Sequence, residues 1–117
     1  MTRFVKSWLG VAATTATLAL GGGQVFAQDI VFGLQCDRTG PTASVGTVLC
    51  PGYQDYIALV NSKGGVEGHK IKVLEIDHEY KVPPAIEAHE RFKKEGAVLE
   101  GLYGTPQTAA LNKKLEE

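Results

Sequence analysis

Short apolar runs alternate with longer amphipathic stretches from residue 29 onward. The run from Asp29 to Gln35 is almost continuously apolar, which is typical of a strand covered on both faces. Residues 70–76 predict a second strand, and its alternating lysines favour a position at the edge of a sheet. Residues 97–102 predict a third strand, buried like the first.

The stretch between the first two strands has the spacing of an amphipathic helix. Its apolar stripe consists of Leu49, Tyr53, Tyr56 and Val60, widened by Ile57. Pro51 removes one backbone hydrogen bond, so we expect the helix either to begin or to kink there. The glycines at 64 and 65 predict its C-terminal end.

Two further helices follow the second and third predicted strands. Pro83 and Pro84 suit the first turn of a helix that ends near Gly96. Thr105 and Pro106 predict the start of the next helix, with the threonine as N-cap and the proline at the first helical position. This β-α-β-α-β-α order predicts an α/β fold with a parallel, Rossmann-like sheet. Because three strands are few for such a sheet, we expect the sequence to be a fragment.

The first 27 residues have the layout of a secretory signal peptide. Arg3 and Lys6 make the start positive, residues 8–20 carry no charge, and small residues precede a cleavage site predicted after Ala27. The uncharged stretch is too short to span a bilayer. We therefore expect residues 28–117 to be the mature protein, which works outside the cytoplasm.

Composition and charge narrow the class of protein. Apolar residues make up 44% of the chain and charged residues 21%, with a formal net charge of -1. A nucleic-acid binder held by bulk electrostatics needs a basic surplus, and a disordered acidic tail needs a lower apolar fraction, so both are excluded. No apolar run is long enough to cross a membrane, so we expect no stable membrane insertion of the mature chain.

Polar and aromatic side chains follow the predicted strands at the end where open parallel sheets bind ligands. Thr105 combines a hydroxyl with a helix N-terminus, which favours a carboxylate ligand, although it could serve only as a cap. Tyr80 and Tyr103 could form the walls of an apolar pocket or belong to the core. Arg38 could pair with an anion or be solvated.

No pattern in the sequence supports a metal site or catalysis. Asp77, His78 and Glu79 are adjacent in an extended segment, so their side chains point to opposite sides and do not converge on one ion. Neither a nucleophile elbow nor a phosphate-binding glycine loop occurs. We therefore expect a protein that is not an enzyme and needs no cofactor.

The two cysteines predict a disulfide. Cys36 and Cys50 both fall in the exported part of the chain, where a disulfide is favoured over free thiols. A redox-active pair is more typically spaced C-x-x-C. Closing a loop of about 15 residues contributes on the order of 3 kcal/mol.

Several motifs together resemble the start of a type I periplasmic binding protein of the branched-chain amino-acid (leucine-binding) class. The most specific is the Asn-Ser-Lys-Gly-Gly-Val-Glu-Gly stretch at 61–68, and the others are Thr39-Gly40-Pro41, Gly46, Gly52, Asp77 and residues 101–105. The resemblance implies a two-lobed fold that closes on a ligand without catalysis. Residues 28–117 would be part of its N-terminal lobe, covering the first three βα units.

The same resemblance implies a ligand site. In relatives, the hydroxyl residue at the place of Thr105 holds the ligand's carboxylate together with nearby backbone amides. The loop around Thr39 and the residue Tyr103 are further candidates, alongside Arg38 and Tyr80. Well-studied members place a disulfide between the loops after the second and third strands, where this sequence has no cysteine.

The resemblance also predicts a function. We expect a solute-binding protein of an ABC importer that binds an amino acid or another small carboxylate and delivers it to the permease subunits in the membrane. The alternative is a ligand-binding sensor domain of an extracytoplasmic receptor, because the same fold serves receptors.

Overall fold

The described part of the chain forms three consecutive βα units. The computed structural model describes residues 28–112, 114 and 115, so the predicted signal peptide at 1–27 lies outside the described residues. In chain order the elements are β1 Ile30–Cys36, α1 Ala43–Ser62, β2 Ile71–Asp77, α2 Val82–Lys94, β3 Leu99–Gly101 and α3 Thr105–Leu111. This order confirms the predicted α/β fold class. Among these helices, none has the length and hydrophobicity that a membrane span requires.

β1 is the central strand of a parallel sheet with the order β2-β1-β3. Ile30–Cys36 pairs in register with Ile71–Asp77, and residues 32–34 pair with Leu99–Gly101. β1 is buried from residue 32 onward, whereas β2 lies at an edge of the described sheet, as its lysines predict. All three strands point the same way, so their carboxyl ends lie at one edge.

β3 differs from its prediction in length and in burial. It has three residues, and Leu99 is 62% exposed. The apolar run at 97–102 predicts a strand covered by neighbours, but within the described residues β3 pairs with β1 alone. The prediction of a buried third strand is therefore wrong for this part of the sheet, because the outer side of β3 is open.

α1 packs on the sheet with only part of its predicted apolar stripe, the side chain of Ile57, which lies against the core. Its buried residues are Gly46 and Cys50. Three members of the predicted stripe, Leu49, Tyr53 and Tyr56, are instead exposed. Because helical spacing identifies an apolar stripe but not what covers it, the stripe indicated the packed face only in part.

A disulfide and a close backbone contact select the packed side of α1. Cys36 at the end of β1 is bonded to Cys50, with their Cα atoms 6.3 Å apart, which confirms the predicted pair. One turn earlier, a Cβ on Gly46 would lie 1.7 Å from the carbonyl oxygen of Asp37, so only glycine fits. The helix begins at Ala43 and continues through Pro51, so it does not begin at the proline.

The two faces of β1 are covered by different helices. The α1 face carries one apolar cluster. Its buried members are Phe32, Leu34, Cys36 and Cys50, and Ile57, Ile71 and Val73 pack against its margin. On the other face, the Phe92 ring of α2 fills the space over Gly33, and the Gln35 amide donates to the Ala85 carbonyl over 3.1 Å. The sheet is therefore wound by helices on both faces, with α3 beside α2.

Candidate functional site

The segments that follow the three strands lie next to each other and form what we call the carboxyl edge: residues 37–42, 77–80 and 103–105. The pairing of Cys36 with Asp77 and of Leu34 with Gly101 brings these segments together. This is the edge at which open α/β sheets bind ligands. All five predicted ligand-binding residues lie on it.

Asp37 shapes the first segment from within. Its fully buried carboxylate accepts hydrogen bonds from the amide of Gly40 over 2.5 Å, and from the amide and hydroxyl of Thr42 over 2.8 and 2.6 Å. Burial acts to raise the pKa of Asp37, but these hydrogen bonds outweigh it, so the pKa lies below its usual range. The turn that leads into α1 is thus built around an ionised side chain.

Asp77 joins the first segment to the second. Its carboxylate accepts from the Thr39 hydroxyl over 2.7 Å, from the Arg38 amide over 3.1 Å and from the Glu79 amide over 3.0 Å. Burial acts to raise the pKa of Asp77, and the three hydrogen bonds bring it below the usual range. The Thr39 side chain is exposed at this edge, but its hydroxyl proton is already donated to Asp77.

The Arg38 guanidinium is paired within the chain. Its Nε and Nη2 atoms donate to the two carboxylate oxygens of Glu75, the latter over 2.9 Å, and the Gln54 amide of α1 donates to the same carboxylate. The hydrogen bonds from Arg38 lower the pKa of Glu75, and the same pairing raises the pKa of Arg38. Arg38 therefore faces β2 and α1 with a bidentate, charge-assisted contact.

His78 connects the second segment to the third. Its ring is fully buried, Nδ1 accepts from the amide of Tyr80 over 3.0 Å, and Nε2 lies 3.0 Å from the carbonyl oxygen of Tyr103. Nε2 donates to that carbonyl, so both ring nitrogens are occupied. Within the described residues, no group of three acidic, histidine or cysteine side chains is placed to hold a metal ion.

The two tyrosines predicted for a pocket wall do meet. The rings of Tyr80 and Tyr103 contact each other edge to face, with centroids 6.1 Å apart, and both residues are half-buried. The backbone conformation before the Tyr80 ring is unusual, because Glu79 and Tyr80 have positive φ values of 53° and 57°. These left-handed residues reverse the chain so that the Tyr80 ring turns toward the third segment.

Thr105 lies at the start of α3 but does not cap it. The N-cap is Gly104, whose φ of 93° favours glycine, and Thr105 is the first helical residue. The predicted capping role is therefore wrong, because the chain enters α3 through this left-handed residue. Thr105 is exposed, and its hydroxyl makes no hydrogen bond within the described part of the chain. A shallow groove of about 450 Å³ lies beside it, lined by Gly104, Thr105, Thr108, Ala109 and Asn112.

The structure divides the five predicted residues into two groups. Tyr80, Tyr103 and Thr105 lie around Gly104, whose missing Cβ would come within 3.0 Å of the Tyr80 ring. Arg38 and Thr39 lie across the edge and are held by carboxylates from β2. Their hydrogen bonds link them to the sheet, so their contribution to the edge is mainly its shape.

Two residues important to this edge were not found from the sequence. Asp37 lies in a Gly- and Pro-containing loop, where an aspartate that accepts from nearby backbone amides is a recognisable turn signal. The sequence around His78 suggests only a metal ligand, which its neighbours do not support. Its actual role depends on contact with Tyr103, 25 residues away, which no local pattern could indicate.

Comparison with known proteins identifies the family. A family model described as periplasmic binding protein matches residues 29–117, which is most of the chain. The chain belongs to the periplasmic binding protein family. This confirms the resemblance seen in the motifs, and the three parallel βα units match a lobe of the type I fold of that family. No curated protein sequence matches the chain.

Solved structures of periplasmic binding proteins show the same arrangement. A fatty acid ABC transporter substrate-binding protein from Thermomonospora curvata is 27% identical with a TM-score of 0.71, over 76% of this chain and 23% of that chain. A protein described as an ABC transporter permease from the Pseudomonas fluorescens group is 33% identical with a TM-score of 0.67, over 75% and 22%.

A third structure shares the fold alone. The branched-chain amino acid transporter substrate binding protein LivJ from Streptococcus pneumoniae, solved with isoleucine, is 22% identical with a TM-score of 0.69, over 75% of this chain and 26% of that chain. The chain therefore spans only about a quarter of the length of these periplasmic binding proteins.

Proposed function

We propose that this chain is part of a solute-binding protein of an ABC importer, which captures a small carboxylate outside the cytoplasm and delivers it to the permease. The match of the periplasmic binding protein model to residues 29–117 carries this proposal. Residues 1–27 act as a cleaved signal peptide in this proposal, and residues 28–117 form part of the N-terminal lobe. The role is binding and release, without a reaction.

The ligand class follows from two observations. The named ligands of the T. curvata and S. pneumoniae proteins, a fatty acid and isoleucine, share a carboxylate attached to an apolar group. The carboxyl edge of this chain carries matching chemistry, because Thr105 is exposed on it and the half-buried rings of Tyr80 and Tyr103 contact each other on the same edge. A hydroxyl can donate to a carboxylate, and the rings can cover an apolar group.

Each predicted residue then has a distinct place in the proposal. Thr105 donates to the carboxylate, and Tyr80 and Tyr103 cover the apolar part of the ligand. Thr39 and Arg38 shape the opposite side of the edge, in an orientation fixed by Asp77 and Glu75. The second lobe supplies the other half of the pocket.

Calorimetric titration of a version that contains both lobes tests this proposal. The panel consists of branched-chain and aromatic amino acids, fatty acids, and the amide of each acid as a matched ligand without the carboxylate. We expect one class of acid to bind and its amide to bind much more weakly. Binding of the amides as well as the acids would contradict the carboxylate proposal.

The role of Thr105 is tested in the same titration. Thr105→Ala should weaken binding of the acid by about 1–3 kcal/mol, because a charge-assisted hydrogen bond is lost. Thr105→Ser keeps the hydroxyl and serves as the matched control, for which we expect nearly normal affinity. Equal affinity of the alanine variant and the unmodified protein would remove Thr105 from the site.

A further inference from the structure

Two residues at the start of the described chain, Gln28 and Ile30, are tied by hydrogen bonds to the turn that leads into β2. The carbonyl oxygen of Gln28 accepts from Nδ1 of His69 over 2.7 Å, and the amide of Ile30 donates to the carbonyl of Lys70 over 2.8 Å. The chain is therefore anchored at Gln28, two residues before β1 begins.

The turn that holds Gln28 is itself closed. Val66 and His69 exchange two backbone hydrogen bonds of 2.8 and 2.9 Å across it. A Cβ on Gly65, which has a φ of 83°, would lie 1.9 Å from the His69 carbonyl oxygen, so the backbone segments pack closely here. The backbone that carries the His69 ring is thus held in place before it meets Gln28.

The rest of Gln28 is free to react. The residue is exposed, and its carboxamide has no hydrogen-bond partner among the residues that the structure describes. Cleavage after Ala27 would turn its nitrogen into an α-amine. An α-amine has an ordinary pKa near 8, so on the order of a tenth of it is uncharged and nucleophilic at pH 7. The fold uses only the carbonyl of this residue and leaves both reacting groups available.

We propose that Gln28 is a modification site, at which the first residue of the exported chain closes to pyroglutamate. This inference rests on the signal peptide in the proposed function. The α-amine nitrogen attacks the Cδ atom of its own side chain, so a nitrogen–Cδ bond forms and the Cδ–Nε2 bond breaks. A proton passes from the amine to the leaving group, which departs as ammonia, and no oxidant or second substrate is needed. The five-membered ring is favoured because both groups belong to one residue.

Cyclisation leaves the contact with His69 intact. The reaction does not involve the main-chain carbonyl of Gln28, so Nδ1 of His69 continues to donate to it. The mature chain then begins with an uncharged lactam, and the peptide bond to Asp29 is held against the turn. Chain termini are common sites of proteolysis, and an aminopeptidase needs the free α-amine that this modification removes.

Mass spectrometry of the exported protein tests the modification. A version that contains both lobes and residues 1–27 is expressed in a bacterium and recovered from its periplasm. We expect the mass of a chain that starts at residue 28, less one ammonia. Gln28→Asn is the matched control, because it keeps the carboxamide but would have to close a smaller, strained ring. Its mass should show no loss of ammonia.

Digestion with a pyroglutamyl peptidase tests the contact with His69. His69→Ala should release the modified residue about fivefold faster, the factor that corresponds to the loss of one ordinary hydrogen bond. Lys72→Ala, at an exposed position on β2, is the control and should leave the rate unchanged. Circular dichroism verifies that both variants keep the fold.

The possible results separate the modification from the signal peptide. A chain that starts at Gln28 and keeps its full mass would overturn the modification and leave the signal peptide in place. A chain that starts at another residue would overturn the cleavage site and the modification together. Equal digestion of His69→Ala and Lys72→Ala would overturn the protection of the N-terminus by His69.

Discussion

Asp37 and Asp77 each organise one segment of the carboxyl edge through three hydrogen bonds. These bonds lower the pKa of both carboxyl groups against the opposing effect of burial. In the unfolded chain these carboxyl groups take up protons near pH 4, whereas in the folded chain they stay ionised to a lower pH. The stability from these groups is therefore complete above about pH 5 and lost as the pH falls through their folded pKa.

Acid unfolding measures this contribution. The free energy of unfolding in urea, followed by circular dichroism, should fall steeply between about pH 5 and pH 3. Asp37→Asn should be less stable at pH 7 and should lose less stability over this interval. Asp29→Asn, at an exposed carboxylate ahead of β1, should keep the normal dependence. If the free energy of unfolding of Asp37→Asn changed with pH as steeply as that of the unmodified chain, the Asp37 carboxyl group would have the same pKa in the folded and the unfolded state.

Residues near the edge also show where prediction from the sequence stops. Thr105 was correctly placed at the start of a helix because threonine followed by proline is a local signal. Its capping role was wrong, because the left-handed φ of Gly104 moved the helix start by one residue. The buried ring of His78 depends on Tyr103, and such long-range contacts have no local signature.

At the scale of elements, strand order and direction followed from local pattern, whereas packing did not. The apolar run of β1 and the lysines of β2 indicated a central and an edge strand, as observed. The stripe of α1 indicated the packed side only in part, since Ile57 packs on the core whereas Leu49 and Tyr56 are exposed. The Cys36–Cys50 bond is the constraint that selects the packed side.

Removing the Cys36–Cys50 disulfide tests how much it adds to the free energy of unfolding. The bond joins cysteines 14 residues apart, and the loss of such a constraint on the unfolded chain costs about 3 kcal/mol. We expect the double variant Cys36→Ala, Cys50→Ala to show this decrease in free energy of unfolding. Both cysteines are buried, so the unmodified protein should resist mild reductant until it unfolds. A double variant as stable as the unmodified protein would show that the contacts of Gly46 alone hold α1.

At the scale of the whole molecule, the sheet is left open in two places, beside β3 and at the carboxyl edge. β3 pairs on one side only within the described residues, and the chain spans about a quarter of the length of its solved relatives. The carboxyl edge of a single lobe provides one wall of a ligand pocket in the proposed two-lobed protein.

A thermal-shift comparison tests that division of the pocket. Ligand that binds only the folded state raises its melting temperature by an amount that grows with the ratio of ligand concentration to Kd. With only one wall of the pocket, residues 28–117 alone should show no saturable rise with any acid that stabilises the two-lobed version. The two-lobed Thr105→Ala variant is the control for loss of one contact, and it should keep a smaller rise. A full rise with residues 28–117 would mean that the carboxyl edge binds the ligand without a second lobe.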